Sequence, residues 1–230
     1  MFWANSASGN TDGYVSFRVV LAKPQLIQEK YIESGSYVWT VPEGVTRVHV
    51  AACGGGAGAL TISSYNSNTT MTGTAGNGGS SSFGTFEVKG GIGASGSSVS
   101  MSERNINQAE ASSPNGRVGD TKTGTNFDID LYGATGFALG FSALSEGDYG
   151  KGGQSHHYYD SDGTTSQVGA AGNSGAFDTA YIDVTPGQQI TIVVGAGGTG
   201  TNISNDGDTW RYYATDGNSG FVLLEYEKDE

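Results

Sequence analysis

The side chains best suited to chemistry in this chain are two adjacent histidines, His156 and His157, followed by two tyrosines. Adjacent side chains on a strand point to opposite faces, so the two histidines could bind the same metal ion only if they lay in a loop. Residues 160–163 and 206–208 add aspartates, whose oxygens suit calcium, but the EF-hand spacing and its terminal Glu are missing. Because Asp and Gly are also favoured in surface turns, we expect turns here and no metal site.

Aromatic residues in polar, glycine-rich surroundings are the second chemical feature. Tyr and Trp combine an apolar ring face, which can stack on a sugar ring, with a polar atom, and they are enriched at protein interfaces. Loops rich in Tyr, Ser, Gly and Asn also resemble antibody recognition loops. Residues 156–159 are predicted to form a loop tip, whereas Trp210 and Tyr212 could equally be core strand residues. The predicted binding residues are His156, His157, Tyr158, Tyr159, Trp210, Tyr212 and Tyr213.

Motifs for catalysis and cofactor binding lack the context that their chemistry requires. Residues 195–200 read Gly-Ala-Gly-Gly-Thr-Gly, the spacing of a dinucleotide loop, but turn residues follow where a helix would have to begin. Residues 54–58 lack the Lys-Ser/Thr ending of a phosphate loop. No Gly-x-Ser-x-Gly elbow stands between a strand and a helix. The sequence therefore predicts no cofactor, no catalytic residues and no enzyme activity.

Composition excludes several further classes. Of 230 residues 39 are glycine, too few for a collagen repeat, and the formal net charge is −12. Negative charge opposes binding to nucleic acid. No apolar run is long enough to span a membrane, and no N-terminal stretch has the layout of a signal peptide. Cys53 is the single cysteine, so no internal disulfide can form.

Strand patterns and turns recur along the chain, and helical periodicity is almost absent. A short helix is predicted only at 23–33. Strands at 36–41 and 46–52, separated by Pro42-Glu-Gly44, are expected to form a hairpin. The other predicted strands are 14–21, 82–88, 127–132, 137–141, 179–184, 189–194 and 221–226. The predicted fold class is all-β, an antiparallel β-sandwich.

Glycine-dense stretches separate these strands, and two structures are compatible with them. They are either long loops on the sandwich or short polyproline-II-like segments packed together, where only glycine fits between neighbouring backbones. Residue composition also changes along the chain, because glycine becomes dense only after the first 53 residues. We therefore expect an N-terminal strand and connector over 1–30 and a glycine-rich β domain over 31–230.

Four motifs follow one another along the chain. They are the run from Tyr37 into Gly54–Gly58, the Tyr-Gly-Lys-Gly-Gly of 149–153, the run from Asp183 into the glycines after Val194, and the final strand 220–226. Their order resembles the glycine-rich domain of phage and prophage tail-fibre proteins. The resemblance covers roughly residues 36–227, although residues 97–145 are less glycine-rich than typical members. Residues 3–22 are similar to the closing strand of a C-type-lectin or formylglycine-generating-enzyme domain, or form one edge strand of the main sheet.

The resemblance implies a receptor-binding module (an adhesin) of a phage or phage-like tail, located on the virion or outside the cell. Its partners would be a bacterial surface glycan or outer-membrane protein and other tail-fibre subunits, with no nucleic acid and no membrane insertion. A structural or assembly role at a fibre tip or on a bacterial surface is the alternative. A surface-polysaccharide hydrolase is a further alternative. Sugar hydrolysis needs two carboxylates at a particular separation, and that separation is set by the three-dimensional structure rather than by the sequence alone.

Overall fold

A computed structural model describes residues 25–65, 70–98, 104–125, 129–134, 148–157, 165–205 and 212–228. These residues contain eighteen β-strands and no helix, which confirms the all-β class. Neighbouring strands are antiparallel except for one parallel pair, β4 with β16. The predicted strands at 14–21 and 137–141 lie outside the described residues, as do residues 1–24 of the predicted N-terminal segment.

Two four-stranded sheets, A and B, form a sandwich at one end of the molecule, which we call the proximal end. Sheet A has the order β1 (Gln25–Tyr31), β18 (Phe221–Lys228), β3 (Arg47–Cys53), β14 (Phe177–Asp183). Sheet B has the order β2 (Gly35–Thr40), β15 (Gln189–Val194), β6 (Ser81–Phe83), β7 (Phe86–Val88). The core between them contains Trp39, whose ring centroid lies 5.6 Å from that of Phe83 and 5.6 Å from that of Tyr226.

One four-stranded and two three-stranded sheets form the distal end. Sheet C has the order β10 (Thr121–Thr125), β13 (Thr165–Ala170), β4 (Leu60–Tyr65), β16 (Thr201–Ser204). Sheet D has the order β5 (Met71–Thr74), β8 (Ser95–Ser98), β9 (Arg104–Asn107). Sheet E has the order β11 (Ile129–Leu131), β12 (Ser155–His157), β17 (Tyr212–Ala214). Sheets C and D enclose an apolar core around Leu60, Ile62 and Val168.

The hairpin predicted between residues 36–41 and 46–52 is wrong, although both strands exist. β2 pairs with β15 in sheet B, whereas β3 pairs with β18 and β14 in sheet A. The turn after Pro42 therefore carries the chain from one sheet to the other, because each strand has an apolar face that must enter the shared core. The single strand predicted at 82–88 is instead the hairpin β6–β7, which turns at Gly84 with φ +57°.

The helix and connector predicted around residues 23–33 are also wrong. Residues 25–31 form β1, which pairs along its whole length with the C-terminal strand β18, from Gln25 opposite Lys228 to Tyr31 opposite Val222. The boundary expected near residue 30 thus falls inside this strand. Cross-strand pairing outweighs a weak local helix propensity, because Ile27 and Tyr31 gain contact with the sandwich core.

The glycine-dense stretches are a packed bundle between the two ends rather than long surface loops. The central segment, residues 54–59, connects β3 to β4 and is buried throughout. Six segments surround it, and together with it they form what we call the glycine bundle. They are residues 75–80, 89–94, 148–154, 171–176, 195–200 and 215–220.

Hydrogen bonds in the bundle repeat every third residue. Gly55 and Gly58 donate to Gly79 and Gly76 of one neighbouring segment at 2.9 and 3.0 Å. Gly54 and Ala57 likewise donate to 176 and 173 of a second segment, and Gly56 and Ala59 to 218 and 215 of a third. A repeat of three residues per turn, with the central segment's hydrogen bonds made to neighbouring segments, is the pattern of a polyproline-II-like bundle.

Close backbone approach makes glycine necessary in this bundle. A Cβ on Gly56 would lie 1.9 Å from the carbonyl oxygen of Lys151, and one on Gly58 would lie 2.1 Å from that of Thr199. The obstructing atoms are backbone, which cannot move without breaking the hydrogen bonds of the bundle. A side chain at these positions would therefore force segments apart.

Alanine substitutions should distinguish this steric constraint from the backbone strain that alanine meets at a glycine with positive φ. We expect Gly56→Ala to destabilise the chain by more than about 4 kcal/mol or to prevent folding. Gly73→Ala should cost less, because its nearest obstacle is the flexible Cδ1 of Ile203 at 2.7 Å. Gly44→Ala is the control: nothing lies within 4 Å, and only its φ of +81° opposes alanine, at a cost of about 1 kcal/mol. Urea denaturation measures the series, and equal losses for all three would contradict the packed bundle.

A carboxylate holds the edge of the proximal sandwich together. Glu29 accepts hydrogen bonds from the Trp39 indole at 3.1 Å, the Tyr226 hydroxyl at 2.5 Å and the Tyr31 hydroxyl at 3.0 Å. Burial, followed by these bonds to Glu29, raises the pKa of Tyr31 to about 12 and also raises the pKa of Tyr226. Both phenols therefore remain protonated donors over the whole physiological range.

Replacing this carboxylate should weaken the pairing of β1 with the sandwich. We expect Glu29→Gln to lower the free energy of unfolding by about 1–3 kcal/mol, because a neutral amide oxygen replaces a charged acceptor of three donors. Glu43→Gln, at an exposed turn position, is the matched control and should change it little. Denaturant unfolding followed by tryptophan fluorescence measures both, and indistinguishable midpoints would contradict the role given to Glu29.

Candidate functional site

Three aromatic rings form an exposed patch on the outer face of sheet E. Tyr132 is 60% exposed and Tyr213 is 40% exposed, while His156 between them is only 6% exposed. The His156 ring stacks on Tyr213 with centroids 4.4 Å apart and an interplanar angle of 23°. The Tyr132 ring meets His156 at 89° with centroids 6.0 Å apart. We call these three residues the distal patch.

Strand pairing brings these rings together from distant parts of the chain. In sheet E, His156 lies opposite Tyr213 of β17 and opposite Asp130 of β11, and Tyr132 directly follows β11. The amide of Gln154 adds a polar group beside the rings, because its Oε1 lies 3.3 Å from Nε2 of His156. The main chain of Gln154 is held in turn by the hydroxyl of Thr215, 2.8 Å away.

A buried polar layer lies beneath the patch, between sheets E and C. The hydroxyls of Thr61 and Ser155 lie 2.7 Å apart, and Ser155 also donates to the carbonyl of Leu60 at 3.0 Å. His157 contacts the amide of Gln167 and lies near the Ser63 hydroxyl. All five polar side chains of this layer are at most 2% exposed. Hydrogen bonding rather than apolar packing therefore positions sheet E.

The structure overturns the loop-tip interpretation for both histidines. His156 and His157 lie in β12 and point to opposite faces of sheet E, as adjacent strand residues must. Both are buried, so neither offers its ring as the main contact surface. Within the predicted set, the side chain that the structure places on the surface is that of Tyr213. The side chain of Tyr212, in β17, is not among those described.

The remaining predicted binding residues, Tyr158, Tyr159 and Trp210, lie outside the described residues. Tyr132 was missed by the sequence analysis, which placed it at the end of a predicted strand. A tyrosine followed directly by glycine, as at Tyr149-Gly150, is the signal that could have drawn attention to it.

Charge is unevenly distributed between the two ends. The described strands of sheets A and B contain nine Asp, Glu, Lys or Arg residues: Glu29, Lys30, Arg47, Glu87, Asp178, Asp183, Glu225, Glu227 and Lys228. The described strands of sheets C, D and E contain three: Arg104, Lys122 and Asp130. The described strands of sheets C and D are therefore rich in Ser, Thr, Asn and Gly, and the charged residue in the described strands of sheet E is Asp130, opposite His156.

A second group of polar and aromatic side chains lies on the outer face of sheet A. His49 Nδ1 is 3.2 Å from a carboxylate oxygen of Glu225, and the His49 ring stacks on Tyr181 at 4.4 Å. The Arg47 guanidinium lies 4.7 Å from the centroid of the same tyrosine. These residues line an open groove of about 470 Å³. Its mixed charges suit contact with another protein surface.

Neither nucleophilic nor metal chemistry is organised among the described residues. Burial raises the pKa of the Cys53 thiol to about 12, so it stays protonated, and a Cβ on Gly150 would collide with its sulfur. No group of three or more His, Cys, Asp or Glu in the described ranges is close enough to hold a metal ion. The glycines of 195–200 lead into strand β16 and pack in the bundle, so they do not open a helix.

Comparison with protein-family models and with curated proteins yields no relative on which to base an assignment. No protein-family model matches the chain, and no curated protein matches it significantly. The part of the chain that the structure describes contains no helix long and apolar enough to cross a membrane.

Removing one hydroxyl from the polar layer should loosen sheet E. We expect Thr61→Val to destabilise the chain by about 1–2 kcal/mol, because Ser155 loses a buried partner while side-chain volume is kept. Thr74→Val, the same change at an exposed position of β5, should be nearly neutral. Unfolding midpoints and amide exchange in β12 measure the effect. If both variants behave alike, the layer does not position the sheet.

Proposed function

We propose that this chain is a non-enzymatic receptor-binding module of a phage or phage-like tail fibre, acting on the virion or outside the cell. The observation that carries the proposal is the distal patch: two exposed tyrosine rings braced by a buried histidine on a rigid support. Exposed aromatic anchors of this kind supply most of the binding energy in many recognition surfaces. The motif order that resembles tail-fibre glycine-rich domains supports the tail context.

The architecture supports this proposal in a second way. The glycine bundle separates the distal patch from the charged proximal sandwich, which contains the first and last described strands, β1 and β18. A rigid support limits the conformational entropy lost on binding, so more of the contact energy appears as affinity. The distal end then contacts a bacterial surface structure, and the proximal end faces the other tail subunits.

An assembly role is the second candidate, and the groove on sheet A favours it. Tyr181 is 65% exposed beside the His49–Glu225 pair, which is a suitable contact for a neighbouring subunit. The two roles are compatible, because the groove lies on the proximal sandwich and the distal patch lies on sheet E at the other end of the bundle.

Binding of fluorescently labelled protein to a panel of bacterial strains tests the receptor-binding role. We expect binding to at least one strain, and a loss of about tenfold or more when Tyr132 and Tyr213 are both changed to Ala, the size typical of anchor residues. Tyr181→Ala is the control, because Tyr181 on the proximal sheet is at least as exposed as either distal tyrosine, and this variant should bind as the parent does.

If the labelled protein binds none of the strains, the proposal is overturned. Equal losses for the distal double variant and for Tyr181→Ala would remove the distal patch from it. Release of new reducing ends from the surface polysaccharide of a bound strain would point to a hydrolase instead.

A further inference from the structure

Binding at the distal patch calls for a partner whose surface matches the chemistry there. The patch offers the ring faces and hydroxyls of two tyrosines and one amide, and the described strands of its sheet contain a single charged residue, Asp130. We infer that it binds an uncharged surface glycan, with sugar rings stacked on Tyr132 and Tyr213. This inference rests on the proposed receptor-binding function and names the class of receptor.

Ring exposure is the first argument for a sugar. The carbon-bound hydrogens on one face of a pyranose form a small apolar surface that fits an aromatic ring face. His156 stacks on one side of Tyr213 and contacts Tyr132 edge to face, so both rings are held in place while 40% and 60% of their surfaces stay exposed. Two rings fixed before binding suit a ligand made of repeated rings.

The kind of exposed apolar surface favours a sugar over a protein. In sheet E and its described flanks, the exposed large hydrophobic side chains are Tyr132 and Tyr213, and Leu60, Ile62 and Ile203 of sheet C are buried or half-buried. Of the exposed aliphatic side chains, Ile92 lies in bundle segment 89–94 and Val118 lies between β9 and β10. A stable protein interface buries about 800 Å² on each partner, with a contiguous apolar core. Two isolated rings do not provide such a core, but they are enough for stacking.

Polar groups beside the rings match sugar hydroxyls. The amide nitrogen of Gln154 makes no hydrogen bond within the described residues, although its Oε1 lies beside His156. Hydroxyls both donate and accept, so they pair with amides and with each other without a charge. The charged residue in the described strands of sheet E is an acid, Asp130, and the net charge of −12 likewise opposes an acidic glycan.

Chemical treatment of bacterial cells that bind the labelled chain distinguishes the two receptor classes. Periodate cleaves sugar rings at vicinal diols, and proteinase K digests exposed surface protein. We expect periodate treatment to abolish binding and protease treatment to spare it. Neutral O-polysaccharide purified from the same strain should compete for binding, and polygalacturonate, an acidic polysaccharide, should not.

Single variants test whether stacking on the rings is responsible. We expect Tyr213→Ala and Tyr132→Ala each to weaken binding to the purified neutral polysaccharide about tenfold or more, and Tyr213→Phe to stay within about threefold, because the ring remains. Tyr181→Ala should leave the affinity unchanged. Thermal unfolding of each variant shows whether a loss reflects misfolding, and the Phe variant keeps the test valid if an Ala variant unfolds.

The possible failures separate this inference from the proposed function. Binding that survives periodate but is lost after protease treatment would overturn the glycan while leaving receptor binding intact. Competition by the acidic polysaccharide alone would overturn the uncharged character of the glycan, again leaving receptor binding intact. If the Tyr132→Ala and Tyr213→Ala variants bind the neutral glycan as the parent does, the glycan site is not the distal patch. If the chain binds no cells at all, both proposals are overturned.

Discussion

Backbone hydrogen bonding at the buried glycine bundle is the constraint on which the structure depends. Peptide groups of residues 54–59 have no access to water, so each must find a partner, and they find it in neighbouring segments rather than in a helix or sheet. Partners in several directions at bonding distance leave no volume for side chains at the contact positions. Glycine is therefore present for steric reasons. The path that the chain takes through the fold is set by which segments must form hydrogen bonds with one another.

The bundle separates two ends of different chemistry. At the proximal end, an aromatic and aliphatic core is stabilised by the Glu29 carboxylate, and most strand charges lie there. At the distal end, the described strands contain three charged residues, and sheet E presents exposed tyrosine rings. Because strands of both ends are direct continuations of bundle segments, the distal patch is held in place by the same backbone bonds that stabilise the core.

Sheet C shows how two kinds of packing can share one strand. On β4, Leu60 and Ile62 enter the apolar core with sheet D, while Thr61 and Ser63 enter the polar layer with sheet E. Alternation of apolar and polar residues normally indicates one solvated face, yet both faces here are buried. A polar layer of this kind makes the position of sheet E specific, because each buried hydroxyl and amide must keep its partner.

Local pattern in the sequence was enough to determine the all-β class, the long strands such as β3, β15 and β18, and the presence of aromatic residues in polar surroundings. It could not determine which strands pair: the turn at Pro42, predicted to close a hairpin, connects two sheets, whereas Gly84, within a single predicted strand, closes one. It could not show that His156 and His157 are buried, since their partners, from Ser63 to Tyr213, are far away in sequence. Tertiary structure alone decided the burial of the polar layer, the bundle and the joining of Tyr132 to Tyr213, because each depends on contacts between segments that no local pattern specifies.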